Sequence, residues 1–275
     1  MDEPREKAGL RAAWGRVADI YGALWAHRLG HYTAMGLDAL AAEPGWRGLD
    51  VACGSGESTA LLGERLAPGP VLGVDFAPEM VATAEERFGG EHLHFAVDDA
   101  EHLAQPDDRY DVVISSFGLM YTYDARGAMR EMARVLRPGG RLMLTVWGRA
   151  RDVWWSPAID MVESRAAYFS GVCPMMFFYG LPGVLARTVE EAGLSVLDEQ
   201  VTREPMRFSD VGQAVDAATI GGPLNGLFAN RLDDAAREEV RSELTAHLAP
   251  IAAAADGGVD LPAEVAIMVA GKPGA

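Results

Sequence analysis

Lysine is nearly absent from this sequence. It stands only at Lys7 and Lys272, so arginine supplies the other 22 (24 − 2) basic residues. Acids number 40, and the formal net charge is −16. Phosphate backbones are bound by Lys and Arg, so this balance argues against a nucleic-acid partner. The acidity reads as a solubility feature. The lysine shortage, set beside abundant Ala and Gly, reads as coding bias and not as mechanism. Cysteine is as scarce, with only Cys53 and Cys173. They could form one bond at most, which excludes a disulfide scaffold, and a reduced cytosolic pair is the expected state. No uncharged apolar run is long enough for a bilayer, and no charged-then-apolar leader opens the chain. A cytoplasmic protein with no membrane partner is expected. The six histidines show no clustered spacing with acids, so no metal site and a metal-independent chemistry are expected.

What is present is one dense stretch, Leu49-Asp50-Val51-Ala52-Cys53-Gly54-Ser55-Gly56-Glu57-Ser58-Thr59. An apolar strand runs into a Gly-x-Gly turn, and a helix starts near Ser58. Gly54 and Gly56 let the backbone turn sharply and lie against a ligand. The helix start offers unpaired N–H groups to the same place. The dinucleotide fingerprint needs a third glycine where this chain has Thr59. An acid at the mouth, Asp50, suits a ligand with cationic parts better than a pyrophosphate. S-adenosylmethionine, with its ammonium and sulfonium, is such a ligand. Val71-Leu72-Gly73-Val74-Asp75 is a second strand ending in an acid, 25 residues after Asp50 (75 − 50). Asp75 can accept from both hydroxyls of a ribose.

These two stretches resemble the class I S-adenosylmethionine-dependent methyltransferases, in the small-molecule branch around the ubiquinone/menaquinone C-methylases. Three later stretches match in the expected order. They are Asp98-Asp99-Ala100-Glu101-His102-Leu103, then Tyr110 to Met120, then Glu131 to Leu142 with its Arg137-Pro138-Gly139-Gly140 turn. The match covers roughly residues 48–148. The resemblance implies an α/β fold: a doubly wound, seven-stranded, mostly parallel Rossmann-like sheet with an antiparallel last strand and helical cap insertions. It also implies S-adenosyl-L-methionine as cofactor and S-adenosyl-L-homocysteine as product, in an enzyme of the kind found in secondary metabolism.

Site residues follow on the same basis. Asp50, Ala52, Gly54 and Gly56 form the cofactor turn and Asp75 takes the ribose. Asp98 or Asp99 accepts from the adenine amine, and the Ala100 N–H reads a ring nitrogen. The family usually has Gly before this acid, so which of the two reaches adenine stays open. Phe76 and Met80 have the character to sandwich the ring, or are ordinary core. The Ser115 carbonyl is the expected acceptor for the donor's ammonium. Trp14, Val17, Ala18, Tyr21, Leu24 and Trp25 recur at helical steps. That helix either covers the sheet or closes over the cofactor as a lid, with Tyr21 toward the methionine end.

Taken in order, residues 1–44 are expected to form the helical lid and 45–148 the cofactor-binding core. Residues 149–182 and 208–260 are expected as cap insertions, with 183–207 and 261–275 completing one domain. Strands are expected at 48–52, 71–75, 93–97, 110–115 and 141–147, with nearly continuous apolar runs as in a parallel sheet. Helices are expected near 57–67, 78–88, 125–136 and 183–192, a strand at 194–202, and helices through 208–256. Val265–Ala270 is expected as the last strand, antiparallel beside the fifth. Phe117, Met120, Tyr121, Trp154, Trp155, Met176, Phe177 and Tyr179 are the expected acceptor wall, since Met and aromatics make adaptable apolar pockets. Tyr123, Tyr168, Phe169 and Met175 share that character.

Methyl transfer from a sulfonium is an in-line displacement, and the protein chiefly orients the partners and excludes water. Tyr21, His31 and Tyr121 are the candidate bases or orienting groups, though His27 and His31 read more readily as surface or structural residues. The expected function is methylation, at O, N or C, of a small, largely apolar or aromatic metabolite by a monomer or homodimer. The alternative is a reaction on the same fold that keeps the methyl, such as cyclisation or decarboxylation. A non-catalytic scaffold is disfavoured by the intact turn with Asp75 and Asp99, and a nicotinamide oxidoreductase by Thr59.

Overall fold

The computed structural model describes residues 5–167 and 176–274. Tyr168, Phe169, Cys173 and Met175 lie outside the described residues. The chain opens with helices α1 (Arg5–Gly15) and α2 (Ala18–Tyr21), then a π-helical turn over Gly22–Ala26, then α3 (His27–Leu40). Strand and helix then alternate through β1 (Gly48–Val51), α4 (Glu57–Leu66), β2 (Val71–Asp75), α5 (Pro78–Phe88), β3 (Leu93–Val97), β4 (Tyr110–Ser116), α6 (Ala125–Val135) and β5 (Leu136–Trp147).

The remaining elements follow. They are α7 (Pro157–Ala166), α8 (Val184–Glu191), β6 (Ser195–Thr202), β7 (Met206–Phe208), α9 (Val211–Thr219), α10 (Asn225–Arg231), α11 (Asp234–Leu248), β8 (Ala253–Ala255), β9 (Gly258–Leu261) and β10 (Val265–Gly271).

Seven strands form one sheet in the order β3-β2-β1-β4-β5-β10-β6. The pairs among β3, β2, β1, β4 and β5 are parallel, and β10 runs antiparallel to both its neighbours. Every residue of β1 is buried, because helices cover both faces and leave no side of that strand to water. The chain leaves β1 outward to β2 and β3, then returns to β4 on the other side. This reversal opens a crevice beyond the carboxyl ends of β1 and β4, where ligands bind in open α/β sheets.

Two expectations change. Strand β5 starts five residues early, at Leu136, and carries Pro138-Gly139-Gly140 inside it. Gly139 at φ +76° and a register shift opposite Tyr110–Val112 absorb the bend, so the turn is a kink within the strand. Residues 253–261 are not helical. Ala253–Ala255 and Gly258–Leu261 form a hairpin, and β7 pairs with its second strand. The two linking residues are Asp256 and Gly257, the latter at φ +76°. Asp-Gly is a strong two-residue hairpin signal, and it outweighs the helix preference of a short Ala run.

Candidate functional site

Two strand tips in this crevice hold strained backbone. Ala52, after β1, has φ +61°, and Phe117, after β4, has φ +57°. Left-handed φ is uncommon outside Gly, costs of order 1–3 kcal/mol, and concentrates at functional sites. Gly118 lies against them: a Cβ there would fall 2.5 Å from the Ala52 Cβ and 2.8 Å from the Ser115 Oγ. Within the turn, Gly54 and Gly56 have φ +54° and +94°. A side chain at Gly54 would meet the Tyr21 ring at 3.5 Å, so Tyr21 faces the bare turn.

The acids of β1 and β2 are buried. Asp75 accepts the Gly54 N–H at 3.0 Å through Oδ2 and the Ala77 N–H at 2.9 Å through Oδ1. The acid that ends β2 thereby fixes the turn that follows β1. The Asp50 Oδ2 accepts from the Ser58 and Thr59 hydroxyls at 2.6 and 2.8 Å. Thr59, which breaks the dinucleotide fingerprint, is thus a partner for this carboxylate. Asp50 Oδ1 is buried and has no hydrogen-bond partner among the described residues. Burial pushes both carboxyls up to about 6, against the opposing pull of their hydrogen bonds. An under-satisfied acid beneath a bare glycine turn is the electrostatic environment a cationic ligand relieves.

The crevice widens along the sheet edge into connected cavities. A space of about 580 Å³ lies between α1 and the tips of β2 and β3, lined by Asp75, Phe76, Asp98, Asp99, Ala100 and Tyr121 among others. Asp98 turns its oxygens to its own loop, accepting from the Asp99 and Ala104 N–H groups. Asp99 accepts the Glu101 N–H and the Lys7 ammonium. Next to this space, Ala52, Gly54, Asp75, Phe76, Met80 and Phe117 line the middle of the crevice. Its far end is lined by Gly54, Glu57, Ser58, Thr33 and Ser116. There the Ser116 hydroxyl sits 2.7 Å from that of Thr33 and 2.9 Å from that of Thr145.

A narrow aromatic-lined chamber adjoins the middle of the crevice. Trp14, Tyr21, Phe117 and Tyr121 line both spaces. Trp25, Leu29, Trp147, Trp155, Gly222 and Pro223 complete the chamber. Its aromatic rings meet mostly edge to face, as their quadrupoles favour. Trp14 lies 5.5 Å from Tyr21 and 5.0 Å from Tyr121, and Phe117 lies 4.8 Å from Trp147. Trp25 sits in the π-helical turn, a local irregularity often found at functional sites. Its Nε1 donates to the Ala217 carbonyl at 2.8 Å, which ties the N-terminal helical segment to α9. The Trp155 Nε1 has no partner among the described residues. Burial, reinforced by Tyr121, Glu57 and Asp75, raises the Tyr21 phenol well above its usual range.

Of the residues singled out in the sequence, Tyr21, Ala52, Gly54, Asp75, Phe76, Met80, Asp98, Asp99, Ala100, Phe117, Tyr121 and Trp155 line these spaces. Asp50 lies beneath the turn and Gly56 caps α4. Ser115 is buried at the end of β4, and the neighbouring Ser116 is the one whose hydroxyl reaches the crevice. Trp154 stacks on Trp25 behind the chamber, and Phe177 packs on Trp155. Met120, Met176 and Tyr179 are buried core outside the cavities described above. His31 is on the surface, half exposed, with its Nε2 on Glu204, and lines none of these spaces. Lys7, Thr33, Trp147, Gly222 and Pro223 were not singled out as site residues. Trp14 and Trp25 were legible only as a helix face. Among the described residues, no group of three or more His, Cys, Asp or Glu is placed to hold a metal ion.

Comparison with known proteins agrees with this geometry. Residues 49–144 match the methyltransferase domain family. A demethylmenaquinone methyltransferase from Deinococcus radiodurans is 32% identical over 191 residues, which cover 68% of this chain and 73% of that protein. A malonyl-[acyl-carrier protein] O-methyltransferase from Marinomonas is 34% identical over 169 residues, covering 61% of this chain and 59% of that protein. Several other matched relatives align over only about half of their own length, as with the Lactobacillus johnsonii demethylmenaquinone methyltransferase at 54%.

Among solved structures, the YcgJ protein of Bacillus subtilis has a TM-score of 0.61 at 19% identity, over 89% of this chain and 100% of that one. A phosphoethanolamine N-methyltransferase of Haemonchus contortus, solved with S-adenosylhomocysteine, has a TM-score of 0.55 at 19% identity, over 88% of this chain and 53% of that one. These two establish the fold alone. With the ordered motifs, the sheet order and the relative spanning most of its own length, the chain belongs to the class I S-adenosylmethionine-dependent methyltransferases, in the small-molecule branch akin to the ubiquinone/menaquinone C-methylases.

Proposed function

We propose that this chain methylates a small, largely apolar or aromatic metabolite at oxygen, nitrogen or carbon, without a metal. The observation that carries the proposal is the shared wall: Trp14, Tyr21, Phe117 and Tyr121 line both the acid-tipped crevice and the aromatic chamber. Two ligands seated in those spaces would meet across these four side chains. S-adenosylmethionine supplies an electrophilic methyl group on a cationic sulfur, which departs as a neutral thioether.

The crevice fits that cofactor on its own features. These are an unpartnered buried carboxylate oxygen on Asp50, a turn bare of Cβ at Gly54, and acids at successive strand tips. Asp75 would take the ribose hydroxyls, and Asp99 with the Ala100 N–H would take the purine. Phe76 and Met80 would lie against the ring, with the Ser115 carbonyl at the methionine end. Tyr21, held protonated at neutral pH, acts as a hydrogen-bond donor that orients the acceptor and not as a base. The aromatic walls exclude water from the transfer, which removes hydrolysis as a competitor. A chamber with no acidic or basic side chain in its lining selects against highly charged acceptors.

The test follows the methyl. The enzyme is incubated with methyl-labelled cofactor and a panel of small aromatic and apolar acceptors. The expected result is labelled product and S-adenosylhomocysteine in a 1:1 ratio, unchanged by a chelator. An acceptor converted while the cofactor stays intact would replace methylation with a cyclisation or decarboxylation.

A further inference from the structure

Helix α1 brings a single lysine to the wide end of the crevice. Lys7 is only 8% exposed, although lysine is among the residues least often buried. Its Nζ donates to Asp99 Oδ2 at 2.6 Å and to Glu101 Oε2 at 2.8 Å. All three side chains line the cavity that also holds Phe76 and Ala100. Glu101 Oε1 accepts the Tyr123 N–H at 2.6 Å, and Asp99 Oδ1 accepts the Glu101 N–H at 3.0 Å. One ammonium therefore joins the N-terminal helix, the turn after β3 and the loop after β4.

The chemistry of this cluster is asymmetric. Two carboxylates converging in a half-closed cleft repel each other. Without a cation between them, the two side chains would swing apart toward water. Burial alone would lower the Lys7 pKa, but its hydrogen bonds and charge interactions with Asp99 and Glu101 outweigh it and leave a net rise. A carboxylate has about four acceptor sites, and the Asp99 contacts given above use two. Asp98 cannot substitute, because its oxygens cap its own loop.

We propose that Lys7 is a positioning residue for cofactor recognition: it holds the Asp99 side chain turned so that the carboxylate accepts the exocyclic amine of adenine, and it couples the seating of helix α1 to that base. This rests on the reading that the crevice takes S-adenosylmethionine. Lys7 then acts through Asp99 and needs no contact with the reacting atoms.

The test compares the calorimetric binding of S-adenosylhomocysteine with that of its 6-deamino analogue, which lacks the exocyclic amine. The full-length chain is used as wild type, Lys7→Met, Lys7→Gln and Lys7→Arg. A hydrogen bond to a charged group gives the wild type a preference of about tenfold or more for the amine. Lys7→Met should reduce that preference to within about threefold, and Lys7→Arg should keep most of it. Lys7→Gln keeps the length and a donor but no charge; it should also lose the preference, and it serves if the Met variant does not fold. A wild-type preference retained in either uncharged variant overturns the proposal. A wild-type chain that binds neither compound overturns the underlying cofactor reading instead, so the two failures are distinct.

Discussion

Replacing Asp50 by asparagine should make the ligand-free protein no less stable at pH 8 while weakening its hold on the cofactor. The carboxyl is fully buried, one oxygen has no partner among the described residues, and its pKa rises from 3.8 to about 6. At 1.36 kcal/mol per unit, that rise corresponds to about 3 kcal/mol against the ionised form above pH 7. The sign follows from proton binding: the folded state holds this proton more tightly than the unfolded state. The stabilising contribution is full below pH 3.8 and is lost as the pH climbs through about 6. The substitution removes this dependence but leaves an amide N–H unpaired, at about 1–3 kcal/mol. The net change at pH 8 is then about 0 to 2 kcal/mol in favour of the variant, read as about 2–4 °C of Tm per kcal/mol. Thermal unfolding of both proteins between pH 4 and 8 measures it. The variant-minus-wild-type difference should rise between pH 4 and 7 and then stay flat. A difference independent of pH, or a variant losing more than about 2 kcal/mol at pH 8, would refute the reasoning.

Gly56→Ala should destabilise by about 2–5 kcal/mol, seen as a lower urea midpoint. Its φ of +94° disfavours any Cβ, and that Cβ would lie 2.9 Å from Phe88 and 3.0 Å from Ala84; a change under 1 kcal/mol counts against the turn as described. Glu264→Gln should lose about 2–3 kcal/mol at pH 7, because this buried carboxylate accepts from Arg149 and Arg203. The Arg149 hydrogen bond holds its pKa down at about 2, so the contribution is present above pH 4.5 and fades as the pH falls through 2. Equal acid unfolding profiles for the two proteins would contradict this. His31→Ala should leave the rate of S-adenosylhomocysteine release within about twofold, since the imidazole lies outside the crevice. A tenfold loss would return His31 to the catalytic set.

The parallel sheet was legible because strands buried on both faces are apolar almost throughout, as Val112 to Ile114 and Leu142 to Leu144 are, so that Asp50 between Leu49 and Val51 stands out. The cofactor turn was legible because its chemistry is local: Gly54, Gly56 and Asp75 lie within one strand–helix–strand unit. The aromatic chamber was only half legible. Trp14, Trp25, Trp147 and Trp155 come from the N-terminal helices, the fifth strand and the loop before α7, and helical periodicity marks a buried face without saying what it meets. His31 falls on the wrong side of α3 for the same reason. Lys7 carried one signal, its rarity, but nothing in the sequence ties it to Asp99 and Glu101, more than 90 residues away. The 253–261 hairpin was readable from Asp256-Gly257 and was obscured by the Ala run before it.

Calorimetric titration of S-adenosylhomocysteine into the wild type and Asp75→Ala addresses the central claim most directly. The account predicts one site per chain in the wild type. It predicts a loss of about 100-fold in the variant, from two charge-assisted hydrogen bonds to the ribose. Absence of binding to the wild type, or equal affinity for both proteins, would contradict it.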